Sequence, residues 1–251
     1  ENIVDIRDFG AVEGDTTIRI DGNVGKIGSF AFAYVAQHQS TAYGSGKILI
    51  YIDGGINDIE GPYNFYQVGL YTKNSVQIFI GGNIEYILGD SAFMHVGGFV
   101  QNNNVEIKVD GNIGATGINT FKLVGCNIIN GKVVIDIQGY VGTAGENAFL
   151  QLGTACTNSK IMIDIRGQLY YVGPSCFKEI ASESAGSSVD INLYGNIGVV
   201  ETAAFQDICF CTAKKIANKP ININIFGSIG SINSLGFYRI GWYYSSTIYI
   251  H

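Results

Sequence analysis

The sequence predicts an all-β fold, a single parallel β-solenoid of about eight repeats with almost no helix. Three observations carry this. A glycine-anchored unit recurs every 28 to 32 residues, each unit opens on a strand of alternating apolar residues, and no segment shows a capped helical stripe. Composition agrees: 47% of the 251 residues are hydrophobic and 14% charged, with 34 glycines and 3 prolines. Such a chain is too apolar for disorder and too poor in charge for a coiled coil. Ile, Val, Tyr, Phe and Thr are plentiful, which favours strands.

The units align on Gly22, Gly54, Gly82, Gly111, Gly139, Gly167, Gly195 and Gly227, with spacings of 32, 28, 29, 28, 28, 28 and 32 residues. The strand before each glycine alternates, as at Val105, Ile107 and Val109 or Ile161, Ile163 and Ile165, the pattern of one buried face. Two residues after each glycine stands an aliphatic column: Val24, Ile56, Ile84, Ile113, Val141, Leu169, Ile197 and Ile229. Next comes a phenylalanine column: Phe32, Phe65, Phe93, Phe121, Phe149, Phe177, Phe205 and Phe237. Rings at one depth of successive coils are expected to stack. An aliphatic column follows (Val35, Val68, Val96, Val124, Leu152, Ile180, Ile208, Ile240), and then a small one (Ala36, Gly69, Gly97, Gly125, Gly153, Ala181, Cys209, Gly241). One unit cannot bury its own apolar edge, so neighbours must cover it. Asn23, Asn83, Asn112 and Asn196 follow anchor glycines, where a side-chain amide can satisfy backbone groups of adjacent coils.

The whole chain, 1–251, reads as one domain: an N-terminal half-repeat or cap over 1–17, repeats over 18–240, and a cap or the start of a further repeat over 241–251. In the half-repeat, "NIVDI" (Asn2 to Ile6) lies over "NVGKI" (Asn23 to Ile27), and "FGAV" (Phe9 to Val12) over "FAYV" (Phe32 to Val35). The closing "TIYIH" (Thr247 to His251) reads as an opening strand, and "GWYYSS" with Trp242, Tyr243 and Tyr244 as a cover for the last coil. The two long spacings mark loops at Ala36 to Lys47 and Cys209 to Pro220.

Two resemblances arise. "DIRDFGAV" (Asp5 to Val12) resembles the N-terminal motif of tailspike and pectate-lyase-like parallel β-helices, which implies a polysaccharide-degrading homotrimer on a virion. "VGKIGSFAFAYV" (Val24 to Val35) is similar to the V-x-x-I-G-x-x-A-F-x-x-C core of BspA-type leucine-rich repeats, with Val35 at the cysteine position. It extends loosely over all eight units and implies a monomeric bacterial surface protein. Both imply recognition of a cell surface or glycan, outside the cell or on a virion.

Candidate chemistry sits in the outward columns. Three residues before each glycine stand Arg19, Tyr51, Phe79, Lys108, Asp136, Asp164, Asn192 and Asn224; five before stand Thr17, Leu49, Gln77, Glu106, Val134, Met162, Asp190 and Asn222. The later coils thus carry a polar, acidic strip (Asp136, Asp164, Asp190, Asn192, Asn222, Asn224) and the early ones an aromatic patch, Tyr51 and Phe79. These eight are the candidate ligand contacts. Paired carboxylates could serve glycoside hydrolysis, and carboxylates with amides could hold calcium, but a solvated outer face is the simpler account. No catalytic residue, metal site or cofactor is assigned.

The three histidines, His38, His95 and His251, lie far apart in the repeat order, and no G-x-S-x-G or phosphate loop stands in the right context. Five cysteines without regular spacing suggest buried free thiols rather than a disulfide framework. A formal charge of −6 argues against a nucleic-acid partner, and no apolar run is long enough for a membrane helix. Every strict column is apolar, small or glycine, so the expectation is a non-enzymatic binding or adhesion solenoid facing a glycan or cell-surface receptor. The alternative is a tail-fibre or tailspike-like segment, with possible polysaccharide-degrading activity.

Overall fold

The computed structural model describes residues 3–4, 14–37, 45–99, 104–210, 216–217, 219–241, 244–245 and 248–250. These residues form strands and turns, with no helix among them. Two parallel nine-stranded sheets run the length of the solenoid. The first consists of Thr16–Ile20, Ile48–Ile52, Val76–Ile80, Asn104–Val109, Lys132–Ile137, Lys160–Ile165, Ser188–Leu193, Ile221–Ile225 and Ile248–Ile250. The second consists of Ile3–Val4, Val24–Ile27, Ile56–Ile59, Ile84–Ile87, Ile113–Thr116, Val141–Ala144, Leu169–Val172, Ile197–Val200 and Ile229–Ile232. Each coil, numbered 1 to 8 by its anchor glycine, gives one strand to each sheet; the third side is built mainly of turns, with a short parallel pair of Phe205–Gln206 and Phe237–Tyr238 in coils 7 and 8.

The register is like on like. Val133 pairs with Val105 and Ile161, Ile135 with Ile107 and Ile163, and Ile137 with Val109 and Ile165, and all nine are buried. β-Branched side chains suit this packing, because their restricted χ1 matches the pleat. The expected aromatic column is present. Phe32 to Phe205 are fully buried, and successive rings from Phe32 to Phe237 lie 4.6 to 5.1 Å apart and within 19° of parallel.

The third side explains the small column. Its backbone alternates through left-handed residues: in coil 4, Asn119, Leu123, Gly125 and Asn127 have φ of 56 to 63°. The cost of that conformation for a side chain such as Leu123 is offset by hydrogen bonds to the next coil, with Leu123 N donating to Leu150 O at 3.0 Å and Phe121 N to Ala148 O at 2.7 Å. Gly125 adds a packing demand, since a Cβ there would run into the Val133 side chain of the first sheet. Where the third side returns to that sheet, buried serines take over: Cys156 N donates to Ser184 Oγ and Ser159 N to Ser187 Oγ.

The asparagine expectation holds at all four positions. Asn23 Oδ1 accepts from Gly55 N, Asn83 Oδ1 from Asn112 N, Asn112 Oδ1 from Tyr140 N and Asn196 Oδ1 from Ser228 N, at 2.8 to 2.9 Å. Cys126, Cys156, Cys176 and Cys209 are buried and free, and burial pushes the first two up to about 11 and about 12. Cys211 lies outside the described residues.

The ends differ in detail from expectation. Ile3 pairs with Lys26 and Val4 with Ile27, a register two residues away from the sequence alignment, placing Val4 over a buried position of the next coil. The 17/18 boundary falls inside the strand Thr16–Ile20, and Gly241 N still donates to Ile208 O, so coil 8 extends past residue 240. Ile248–Ile250 does open a further strand, in register with Ile221 to Ile223. Within the second long spacing, Ile216–Ala217 pairs with Tyr244–Ser245. The whole of "DIRDFGAV" (Asp5 to Val12), Trp242, Tyr243, His38 and His251 lie outside the described residues.

Phe149→Ala, which removes the ring between Phe121 and Phe177, is expected to cost about 3–5 kcal/mol, seen as lost amide-exchange protection centred on coils 4 to 6. Asn112→Ala should cost about 1 kcal/mol in chemical denaturation, whereas Asn112→Asp, which keeps an acceptor for Tyr140 N, should cost less.

Candidate functional site

Alternation turns every second residue of the first sheet outward, and the register stacks those residues into columns. Arg19, Tyr51, Phe79, Lys108, Asp136, Asp164, Asn192 and Asn224 follow one another as paired neighbours. The companion column pairs Thr17, Leu49, Gln77, Glu106, Val134, Met162, Asp190 and Asn222 in the same way. All eight candidate contacts therefore share one face, divided between its two ends.

In the polar strip the side chains bind one another. Asp164 is almost buried, and its Oδ1 accepts from Asn192 Nδ2 at 2.6 Å; Asn192 Oδ1 accepts from Asn224 Nδ2 at 2.6 Å. Asn222 Nδ2 donates to Asp190 Oδ1 at 2.6 Å, and Lys160 lies 3.0 Å from Asp190 Oδ2. An ionised carboxylate only accepts, so it turns the amide nitrogen of its neighbour towards itself and leaves the amide oxygen for the next coil. That orientation opposes a calcium site, because nitrogen donors rather than oxygens face the carboxylates. Among the described residues no group of three or more His, Cys, Asp or Glu could hold a metal ion. His95 stands on the third side, its Nδ1 3.9 Å from Cys126 Sγ.

Asp136 and Asp164 are the acid-on-acid neighbours of the strip. Parallel strands place their backbones about 4.8 Å apart. Burial raises the Asp136 pKa, and the Asp164 charge adds to this; the Gln138 amide, which donates to both Asp136 oxygens, and Arg166, 4.0 Å away, work against it. In the early coils, Tyr51 and Phe79 stack at 4.7 Å and 12°. Arg19 covers the outer face of Tyr51 at 4.9 Å and Lys108 that of Phe79 at 5.1 Å. Both cations are anchored, Arg19 by Asp21 and Lys108 by Asp110. The patch is a closed cation–π stack, and a ligand meets its edges rather than its ring faces.

Sequence reasoning missed a second set of aromatics. Tyr140, Tyr170, Tyr194 and Phe226 are 39, 56, 41 and 61% exposed and gather at the corner between the two sheets in coils 5 to 8. Tyr194 and Phe226 stack at 4.8 Å, Tyr140 and Tyr170 meet edge-on at 5.8 Å, and Arg166 stands over Tyr194 at 5.7 Å. Tyr194 and Phe226 sit two residues beyond Asn192 and Asn224, about 7 Å along the strand direction. An aromatic ridge thus borders the acid–amide ladder. The available signal was the column one residue before the anchor glycine. Phe226 and Arg166 lie against the Tyr194 ring, so this border offers exposed ring edges beside hydrogen-bonding groups, an apolar rim that suits the C–H groups and hydroxyls of a sugar.

Comparison of the chain with protein-family models, with curated proteins and with solved structures found no match. The geometry alone therefore carries the functional argument.

Because the folded state holds the Asp136 proton above the ordinary carboxylate range, the stability linked to it is present at acid pH and lost as pH rises through the raised pKa. Asp136→Asn, which cannot ionise, is expected to be more stable than the parent at neutral pH, with the difference in denaturation midpoint closing on acidification.

Proposed function

We propose that the protein is a non-enzymatic binding or adhesion solenoid, extracellular or at a cell surface, that lays the outer face of its first sheet against a glycan. The observation that supports this reading is the exposed ridge of Tyr140, Tyr170, Tyr194 and Phe226 beside the ladder of Asp164, Asn192 and Asn224. The core columns fix the spacing of the outward groups, so contacts weak one by one are held at constant intervals along the rod and add up when copies are displayed together. On this reading the chain acts as a monomer.

A second reading is favoured by the raised carboxyl of Asp136 beside Asp164. The pair would be acid and base, or acid and nucleophile, of a polysaccharide-degrading tailspike-like segment, which would be a homotrimer.

On an array of bacterial surface polysaccharides, Tyr194→Ala and Phe226→Ala are each expected to weaken retention roughly three- to tenfold, from the apolar contact each exposed ring supplies. Asp136→Asn is expected to leave it unchanged. Release of new reducing ends that disappears in Asp136→Asn or Asp164→Asn would replace the binding reading with the enzymatic one.

A further inference from the structure

The first sheet's outer face carries a second feature, at the opposite end from the aromatic ridge. A shallow recess of about 430 Å³ lies over coils 2 to 5, walled by Lys47 and Lys132, with Ser75 and Asn104 along one edge and Gln77 and Glu106 in its floor. A smaller hollow continues from the same Gln77 and Glu106 towards Tyr51 and Phe79. The floor is fixed by a hydrogen bond from Gln77 Nε2 to Glu106 Oε2 at 2.9 Å.

The cations of this face sort into two kinds. Arg19 pairs with Asp21, Lys108 with Asp110, Lys160 with Asp190 and Arg166 with Asp136. Among the described residues of the face, Lys47 and Lys132 alone have no carboxylate partner, and both border the recess. In a chain of net charge −6, two unpaired ammonium groups on one hollow are a local reversal of sign. They stand three coils apart, roughly 14 Å along the axis at the strand spacing. Between them the floor offers the Gln77 amide and the Glu106 carboxylate, and the edge offers the Asn104 amide and the Ser75 hydroxyl.

We infer that this recess binds a linear acidic glycan, with carboxylate-bearing sugars at the two lysines and the hydroxyls of intervening sugars over Gln77 and Glu106. The inference rests on the glycan reading above for its ligand class and adds the charge and the place. Glu106 gives it selectivity. A hydroxyl can donate to that carboxylate, whereas a polyanion with a charge at every step would set one against it. A charged chain with neutral stretches fits; a nucleic acid strand does not.

The test is titration calorimetry of the full chain with an oligogalacturonate whose uronates are partly methyl-esterified, with a neutral cello-oligosaccharide of equal length and a single-stranded oligonucleotide as comparators. Binding of the acidic sugar should weaken several-fold in Lys47→Gln and in Lys132→Gln, and fall with added salt. Glu106→Gln, which keeps the hydrogen-bonding floor but removes its charge, should strengthen binding of fully de-esterified oligogalacturonate. Tyr86→Ala, at an exposed position on the second sheet, should leave binding unchanged. Equal binding of acidic and neutral sugars, indifferent to both lysines, would overturn the inference while leaving the ridge as the glycan site. Lysine-dependent binding of the oligonucleotide in preference to the sugar would overturn the ligand class. No binding of any sugar to any variant would overturn both the inference and the glycan reading.

Discussion

Every part of this molecule answers to one constraint, the spacing of about 4.8 Å at which parallel coils stack in register. Inside, the constraint is favourable, because isoleucine over isoleucine and phenylalanine over phenylalanine bury apolar surface with no polar group to satisfy. Outside, the same register forces like to lie over like, and charge cannot be repeated that way without cost. In several columns the outer face resolves the conflict by alternation in kind, although Lys132 still lies over Lys160. Amide follows carboxylate from Asp164 to Asn192, ring follows cation from Arg19 to Tyr51, and cation follows ring from Phe79 to Lys108. Where acid does lie over acid, at Asp136 and Asp164, side chains from other columns turn in, namely Gln138 and Arg166.

The turn side obeys the same spacing by a different route. Left-handed residues let the chain bend repeatedly while its amides still point at the coil beyond, so backbone pairing continues through turns as it does through strands. Gly125 and Gly153 serve both the bend and the close approach of Val133 and Ile161. Ala36, Ala181 and Cys209 hold the same conformation with a Cβ, which shows that the position demands smallness more than it demands glycine.

Much of this was legible in the sequence because period-2 alternation and fixed repeat spacing are one-dimensional signals. The outward columns of Asp136 and Asp190, the phenylalanine column and the asparagine ladder are all statements about spacing, and the register reproduces them. What escaped depends on reach and on bends. The closure of Tyr51 and Phe79 by Arg19 and Lys108 comes from long side chains folding over neighbours, which spacing alone does not encode. The ridge combines residues one before, one after and three after the anchor glycine, and these meet only because the chain turns a corner there. Left-handed Leu123 and His95 carry no compositional signal, unlike Asn119 and Asn127, whose type tolerates that conformation. At Ile3–Val4 the alignment rested on too few residues to fix a register that differs by two.

The asparagine ladders of the outer surface share a sense, although Gln77 donates the other way, to Glu106 of the later coil, and Lys160 reaches Asp190 of the later coil. Gly55 N to Asn23, Asn112 N to Asn83, Tyr140 N to Asn112, Ser228 N to Asn196, Asn192 to Asp164 and Asn224 to Asn192 all run from the later coil as donor to the earlier as acceptor. Those ladders are therefore vectors rather than gratings. A linear molecule with distinguishable ends, lying along the axis, meets a different order of dipoles in each of its two orientations. The two are inequivalent in energy, and the rod can tell one direction of a chain from the other.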